Sequence, residues 1–273
     1  MNEWLVLALY GLVQGLTEFL PVSSDGHLAI AAMFLGDIVA LPLGTVLLLH
    51  LGTLLATLLV LREDAGATLA ASLRAATAPR TLGSTAEGRT ALTVLLASVP
   101  TALVGLALRD VVEPLATRPA VVGACLLATA AFVGSTRWSG PRARLDEPSL
   151  DLGPALVLGL AQGLAVLPGL SRSGTTIAVA MLLGLRPEAA FRLSFLLSLP
   201  AVAGAVLLEL RHPEVWTDAG LPGLFGALVA FGVGVLALRW LQRWLAQGRF
   251  GLFAAYCALL GLSLLGLALR GPG

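Results

Sequence analysis

The chain has 273 residues, of which 57% are hydrophobic and 12% charged. Soluble domains carry about 25% charged residues, so this composition excludes a surface that faces water throughout, and a mean hydropathy of +0.90 makes the bilayer the solvent. The net charge is +1 and all 17 basic residues are Arg without a basic run, which excludes a nucleic-acid partner.

In chain order, the opening stretch MNEWLVLALYG has no basic leader region and no cleavage signal, and is expected to be a mature membrane segment. It runs into GLVQGLTEFLPVSSDGHLAIAAMFLG, an apolar stretch broken by Pro, Ser and Gly with a short apolar arm on either side. Three apolar runs follow, Leu43–Leu61, Ala91–Leu108 and Pro119–Thr136, each near the ~20 residues that a spanning helix needs. A polar stretch from Arg137 to Asp151 separates this half from a second broken segment, GLAQGLAVLPGLSRSGTTIAVAMLLG, which begins at Gly159. Three more apolar runs, Leu193–Leu210, Ala219–Leu238 and Phe250–Leu269, complete the chain. Cys125 and Cys257 lie inside apolar runs and read as small buried hydrophobes.

The two broken segments align without a gap at an offset of 148, with eleven identities that include Gln14/Gln162, Ser23/Ser171 and Gly26/Gly174. The chain therefore reads as two repeats: 1–137 with a re-entrant hairpin at 4–36, a cytoplasmic linker at 138–151, and 152–273 with a hairpin at 154–185. Broken backbone is tolerated at membrane depth only where it is buried in protein or lines a cavity. The fold class is an all-α polytopic membrane protein with about six spans, three per repeat. Three crossings per repeat invert the second relative to the first. The arginines divide 12 to 4 between the sides, with Arg172 inside a hairpin, and the majority side is cytoplasmic by the positive-inside rule. Arg142 counts on that side, and Arg109, Arg118, Arg211 and Arg270 on the other. Both termini then face outward. Trp4 and Trp216 fall at outer ends, and Trp138, Trp240 and Trp244 at cytoplasmic ends, which suits interfacial belts. Hairpins entering from opposite sides bring two positive helix N-termini to one point near the midplane, a site for an anion.

Gln14 and Glu18 are four apart and share a helix face. An isolated carboxylate in an apolar stretch costs about 2.5–3.5 kcal/mol, which marks Glu18 as functional. Ser23 and Ser24 stand where a helix cap belongs, and either hydroxyl has phosphate to bind or attack. His27, in the first turn beyond, reads as an acid/base or phosphate-binding residue. Asp25 reads equally as a cap, a metal ligand or an exposed residue. In the second hairpin Ser171, Arg172, Ser173, Gly174 and Thr175 form the matching break, and Arg172 has the geometry to fork onto a phosphate. With a phosphate there, Glu18 needs a bridging divalent cation, Mg²⁺ or Ca²⁺. His50 either faces this cavity or is a buried hydrogen-bonded residue. His212 is expected at an outer interface, and Arg192 at either the site or the headgroups.

At QGLTEFLPVSSDGH (Gln14–His27) and LPGLSRSG (Leu167–Gly174) the chain resembles the undecaprenyl-diphosphatase, or bacitracin-resistance, family. LHLGTLLA and LSFLLSLP add weaker support, and the likeness covers essentially the whole chain. The resemblance implies hydrolysis of undecaprenyl diphosphate to undecaprenyl phosphate and phosphate, recycling the peptidoglycan carrier lipid, and with it bacitracin resistance. It also implies a bacterial plasma (inner) membrane location, divalent-cation dependence and a site open to the outer face. Carried over by motif, Glu18, Ser24, His27 and Arg172 are the catalytic set, with Glu18, and Asp25 as a further candidate, on the metal. Gln14, Ser23, Gly26, Ser171, Ser173, Gly174 and Thr175 are the substrate-binding set. Three positions depart from the pattern: Gln14 is the amide option of its motif, Asp25 replaces Thr or Ser, and His50 replaces Gln. The partners implied are the lipid diphosphate and membrane lipid, with a homodimer as a candidate assembly. A transporter or flippase of polyprenyl phosphate is the rival, because inverted repeats with broken helices are also a transporter layout.

Overall fold

Apolar runs without Gly-Pro breaks become helices because only a helix satisfies its own backbone in lipid. The computed structural model describes residues 3–35, 43–139, 144–149, 151–209 and 220–269. Gly36, Arg142, Leu210, Arg211, His212, Trp216 and Arg270, which enter the readings above, lie outside them. The first hairpin is α1 (Glu3–Thr17) and α2 (Ser24–Leu35), and the second is α8 (Leu152–Leu164) and α9 (Arg172–Leu182). The first half continues with α3 (Leu43–Val60), α4 (Arg62–Ala75), the short α5 (Thr81–Ser84), α6 (Ala86–Ala116) and α7 (Pro119–Ser135). The second continues with α10 (Pro187–Glu209), α11 (Gly220–Ala246) and α12 (Leu252–Leu269).

Among the described residues five helices are long and apolar enough to cross a membrane, and α3 with α4 makes a sixth as a pair bent by 90°. α3 is the apolar part of that pair. The bend is why α4 escaped a search for apolar runs: Arg62, Glu63 and Asp64 fill its first turn, and it turns aside from the span. Caps fall where the chain supplies them. Thr85 accepts the Gly88 N–H at the start of α6, and Pro119 occupies the first turn of α7, where its missing N–H costs nothing.

Glycine contacts give the helix directions. A Cβ at Gly11 would meet the Gly226 carbonyl and one at Gly15 the Ala230 carbonyl, so α1 runs parallel to α11. A Cβ at Gly159 would meet the Ala97 carbonyl and one at Gly163 the Val104 side chain, so α8 runs parallel to α6. Each hairpin's first arm thus packs on the corresponding span of the other repeat. Gly123 lies against Leu264 and Leu265 while Gly134 lies against Ala254, so α7 and its counterpart α12 are antiparallel. Since α6 and α11 each turn back into these helices through short connections, the repeats are inverted.

The core lies around α9, which is buried from Ser173 to Met181. Phe19, Phe191 and Phe195 pack there, with ring centroids 5.7 Å apart for Phe19–Phe195 and 4.9 Å for Phe191–Phe195. The stretch between the repeats is pinned: the Arg144 and Leu145 N–H groups donate to the Gly184 carbonyl, and the Arg186 N–H donates to the Leu145 carbonyl. Arg192 lies 3.8 Å from Asp64 of α4, so it belongs to the α4 face and not to the site. Trp240 and Trp244 pack at tilted and edge-on angles against each other and Phe253, and exposed Trp138 lies beneath Arg137.

Candidate functional site

The two hairpin tips meet. α1 ends at Thr17, the Glu18 N–H completes its last turn onto the Gln14 carbonyl, and the chain then turns through Pro21. Ser23 stands just before α2 with φ of 68°, a left-handed conformation uncommon for a residue with a Cβ. Its hydroxyl accepts the N–H of Gly26 in its own hairpin and of Gly169 in the other, both at 3.2 Å. At the matching place Ser171 caps α9 by accepting the Gly174 N–H at 3.1 Å. Outside helices close the arrangement. Thr129 of α7 donates to the Gly169 carbonyl and accepts the Ser171 N–H, while Cys257 of α12 donates to the Pro21 carbonyl at 3.3 Å. Cys257 therefore does more than fill space; Cys125 is half-buried and free.

Because Ser23 serves as the cap, Ser24 is released to point elsewhere. Its hydroxyl donates to Glu18 Oε2 at 2.7 Å. The same oxygen accepts from Gln14 Nε2 at 3.1 Å and lies 3.9 Å from His50 Nε2. The other oxygen, Oε1, accepts from Arg172 Nη2 at 2.5 Å. Glu18 is thus the node joining the two hairpins. Arg172 lies 5.9 Å above the Phe195 ring, and its second nitrogen, Nη1, is buried with no hydrogen-bond partner. An unpartnered buried donor on a charged group costs more than the ~1–3 kcal/mol of a neutral one, so a site that keeps one is poised for an anionic acceptor.

A cavity of about 780 Å³ opens on this group. Glu18, Ser24, Asp25, His50, Ser171 and Arg172 stand on its wall, and an apolar arm extends between α6 and α10 past Gly105, Leu106 and Gly204 to Arg109. The wall is mostly apolar, with its polar groups concentrated at the hairpin tips and a few more, Ser98, Thr101 and Arg109, on α6.

Glu18 holds one Arg172 nitrogen and leaves the other without a partner, so the buried carboxylate has a direct cationic partner in the protein. A cation on Glu18 would share its oxygens with donors already there, Gln14, Ser24 and Arg172, and among the described residues no group of three His, Cys, Asp or Glu is placed to hold a metal ion. Asp25 is exposed on the cavity wall. His27 turns away from the cavity, with Nδ1 2.8 Å from the Ser23 carbonyl and Nε2 2.6 Å from the Tyr256 hydroxyl. The imidazole on the cavity wall is His50, whose Nδ1 lies 2.9 Å from the Val46 carbonyl.

Gln14, Gly26, Ser173, Gly174 and Thr175 lie behind the wall. Ser173 donates to the Leu20 carbonyl, and the Thr175 hydroxyl is buried without a partner. Gly26 and Gly174 are glycines for close approach between hairpins: a Cβ would stand 2.9 Å from Gly169 Cα at the first and 3.0 Å from Pro21 Cβ at the second. Tyr256, Thr129 and Cys257 were not foreseen. Each lies in a span that is otherwise mostly apolar, and only the packing of the tips reveals its partner.

The family model described as bacitracin resistance protein BacA matches residues 7–263. A protein named undecaprenyl-diphosphatase from Korarchaeum cryptofilum is 40% identical over 95% of this chain and 97% of its own length. Proteins of the same name from Desulforapulum autotrophicum and Desulfosudis oleivorans are 42% and 43% identical, covering 92% and 95% of this chain and 94% and 97% of their own.

Proposed function

The chain belongs to the bacitracin resistance protein family, and from that premise and the geometry of its cavity we propose that it is an undecaprenyl-diphosphatase, releasing phosphate from undecaprenyl diphosphate to return the carrier lipid as its monophosphate. One observation carries the reading: a hydroxyl, a carboxylate and a guanidinium with a spare buried N–H converge at the end of an apolar cavity. In this reading the polyprenyl chain occupies the apolar arm and the diphosphate reaches the hairpin tips. Arg172 Nη1–H takes a non-bridging oxygen of the terminal phosphoryl group. Ser24 Oγ attacks that phosphorus, its proton passes to Glu18 Oε2, and the bond to the bridging oxygen breaks. The lipid monophosphate leaves with the electron pair. Water then displaces phosphate from Ser24, which recovers its proton from Glu18. Fixed positive charge in a site of low dielectric supplies most of the acceleration.

A divalent cation, Mg²⁺ or Ca²⁺, enters this proposal only at Asp25, whose exposure on the cavity wall leaves room for one, and no step above passes through it. We also propose that the termini and the cavity mouth face the periplasm or exterior, on the support of the 12 to 4 arginine distribution. Phosphate release by purified protein in detergent tests the activity and separates it from lipid flipping, since detergent leaves no leaflet to flip between. Glu18→Ala and Arg172→Ala, inserted at wild-type levels, are expected to lose at least 10²-fold in kcat. Wild-type release from either would sink the assignment.

A further inference from the structure

The Ser23 turn is what aims Ser24 at Glu18, and it is braced from outside the cavity. The Ser23 carbonyl receives two donors from one residue, the His27 backbone N–H at 3.2 Å and the ring Nδ1 at 2.8 Å. A carbonyl only accepts, so Nδ1 carries the proton. In the neutral ring Nε2 is then an acceptor, and it lies 2.6 Å from the Tyr256 hydroxyl, which donates to it. The two rings lie parallel, 5° apart, with centroids separated by 5.7 Å. The result is a directed chain: Tyr256 O–H to His27 Nε2, then His27 Nδ1–H to the Ser23 carbonyl. Neither nitrogen is left for a substrate.

We propose that His27 is a positioning residue that acts through Ser23, held by Tyr256, and carries no proton in the reaction. Ser23 keeps its φ of 68° because its hydroxyl is tied to Gly26 and Gly169 while its carbonyl is tied to His27. Without the ring's Nδ1–H the carbonyl keeps only the longer backbone bond from His27, and Ser23 relaxes toward negative φ, which rotates the adjacent Ser24 away from its 2.7 Å contact with Glu18. Tyr256 sits on α12, so the spans of the second repeat set the aim of a hydroxyl in the first. A phenol facing lipid also requires a partner, and His27 provides it.

The proposal rests on the reading of Ser24 and Glu18 as the reacting pair, and its test distinguishes the two. The amide nitrogen of Asn reproduces Nδ1–H, whereas that of Gln reaches the place of Nε2. His27→Asn is therefore expected to keep kcat within about threefold of wild type, while His27→Gln and His27→Ala lose at least about 30-fold, with KM unchanged in all three. Tyr256→Phe leaves the ring on Ser23 but frees its far end, and is expected to lower kcat about fivefold at unchanged KM. Equal inactivity of the Asn and Gln variants identifies His27 as a proton carrier and overturns the proposal, as does wild-type kcat in His27→Gln or Tyr256→Phe. Ser24→Ala and Glu18→Ala are run alongside. If they release phosphate at the wild-type rate, the reading of the site falls and the proposal with it; if they are silent while Asn and Gln are equally inactive, only the proposal falls.

Discussion

Arg172 carries two duties on one guanidinium, and they separate by nitrogen. Nη2 holds Glu18 across the hairpin interface, while Nη1 is buried and unpaired. Lysine supplies a point charge without the second arm. Arg172→Lys is therefore expected to insert and keep the link to Glu18, yet lose about 10²-fold in kcat/KM, or ~2.7 kcal/mol of transition-state stabilisation. Steady-state phosphate release measures this, and a loss smaller than threefold would show that Nη1 does not engage the substrate. Glu18, Ser24 and Arg172 were legible in the amino-acid sequence because charge and hydroxyl stand out in an apolar run beside a helix break. The residues that follow them were not. Ser24 and Arg172 begin their helices and look into the cavity, whereas Gly26, His27, Ser173, Gly174 and Thr175 of the same motifs do not line it; the packing of the tips against each other and against α12 takes up their groups.

At the scale of the element, the hairpins are shaped by what they must approach. Gly26 and Gly174 lie near the starts of α2 and α9, where either a phosphate or a neighbouring backbone would account for a missing side chain. Sequence cannot distinguish these causes; the contacts do. A methyl group at Gly26 would meet Gly169 Cα at 2.9 Å, and backbone cannot step aside as the end of a side chain can. Gly26→Ala is expected to destabilise the protein by about 1–3 kcal/mol and to lower kcat by separating Ser24 from Arg172. Gly66→Ala is the control. It lies inside α4 with nothing within 4 Å of the added methyl, and helix propensity alone stabilises it by up to about 1 kcal/mol. Thermal unfolding in detergent reads both, and an unchanged midpoint in Gly26→Ala would show that the hairpins are not packed as described. The spans themselves were plain from composition, since lipid leaves the backbone little choice. α4 was not, because a charged helix that turns aside from a span has no apolar run to mark it.

For the whole molecule, the inverted repeat accounts for both the cavity and its orientation. Each hairpin leans on the other repeat's span, so the tips meet inside protein and the space between α6 and α10 stays open. Gly105 lines that space and has nothing within 4 Å of an added Cβ. Gly105→Phe is expected to raise KM for a long-chain polyprenyl diphosphate about tenfold while leaving a short-chain prenyl diphosphate within threefold; an equal effect on both would remove the tail from this arm. Orientation follows from the proposed sidedness and is open to chemical labelling. Arg118 stands exposed between α6 and α7, at one end of two spans, and Arg80 stands exposed between α4 and α5, on the opposite side by the arginine distribution. With Cys125 and Cys257 replaced, Arg118→Cys is expected to react with a membrane-impermeant maleimide in intact cells. Arg80→Cys is expected to react only after permeabilisation. The two labels are exclusive because the single span α6 separates Arg80 from Arg118. Labelling of Arg80→Cys from outside would turn the cavity mouth toward the cytoplasm, where a lipid diphosphate of the outer leaflet does not reach it.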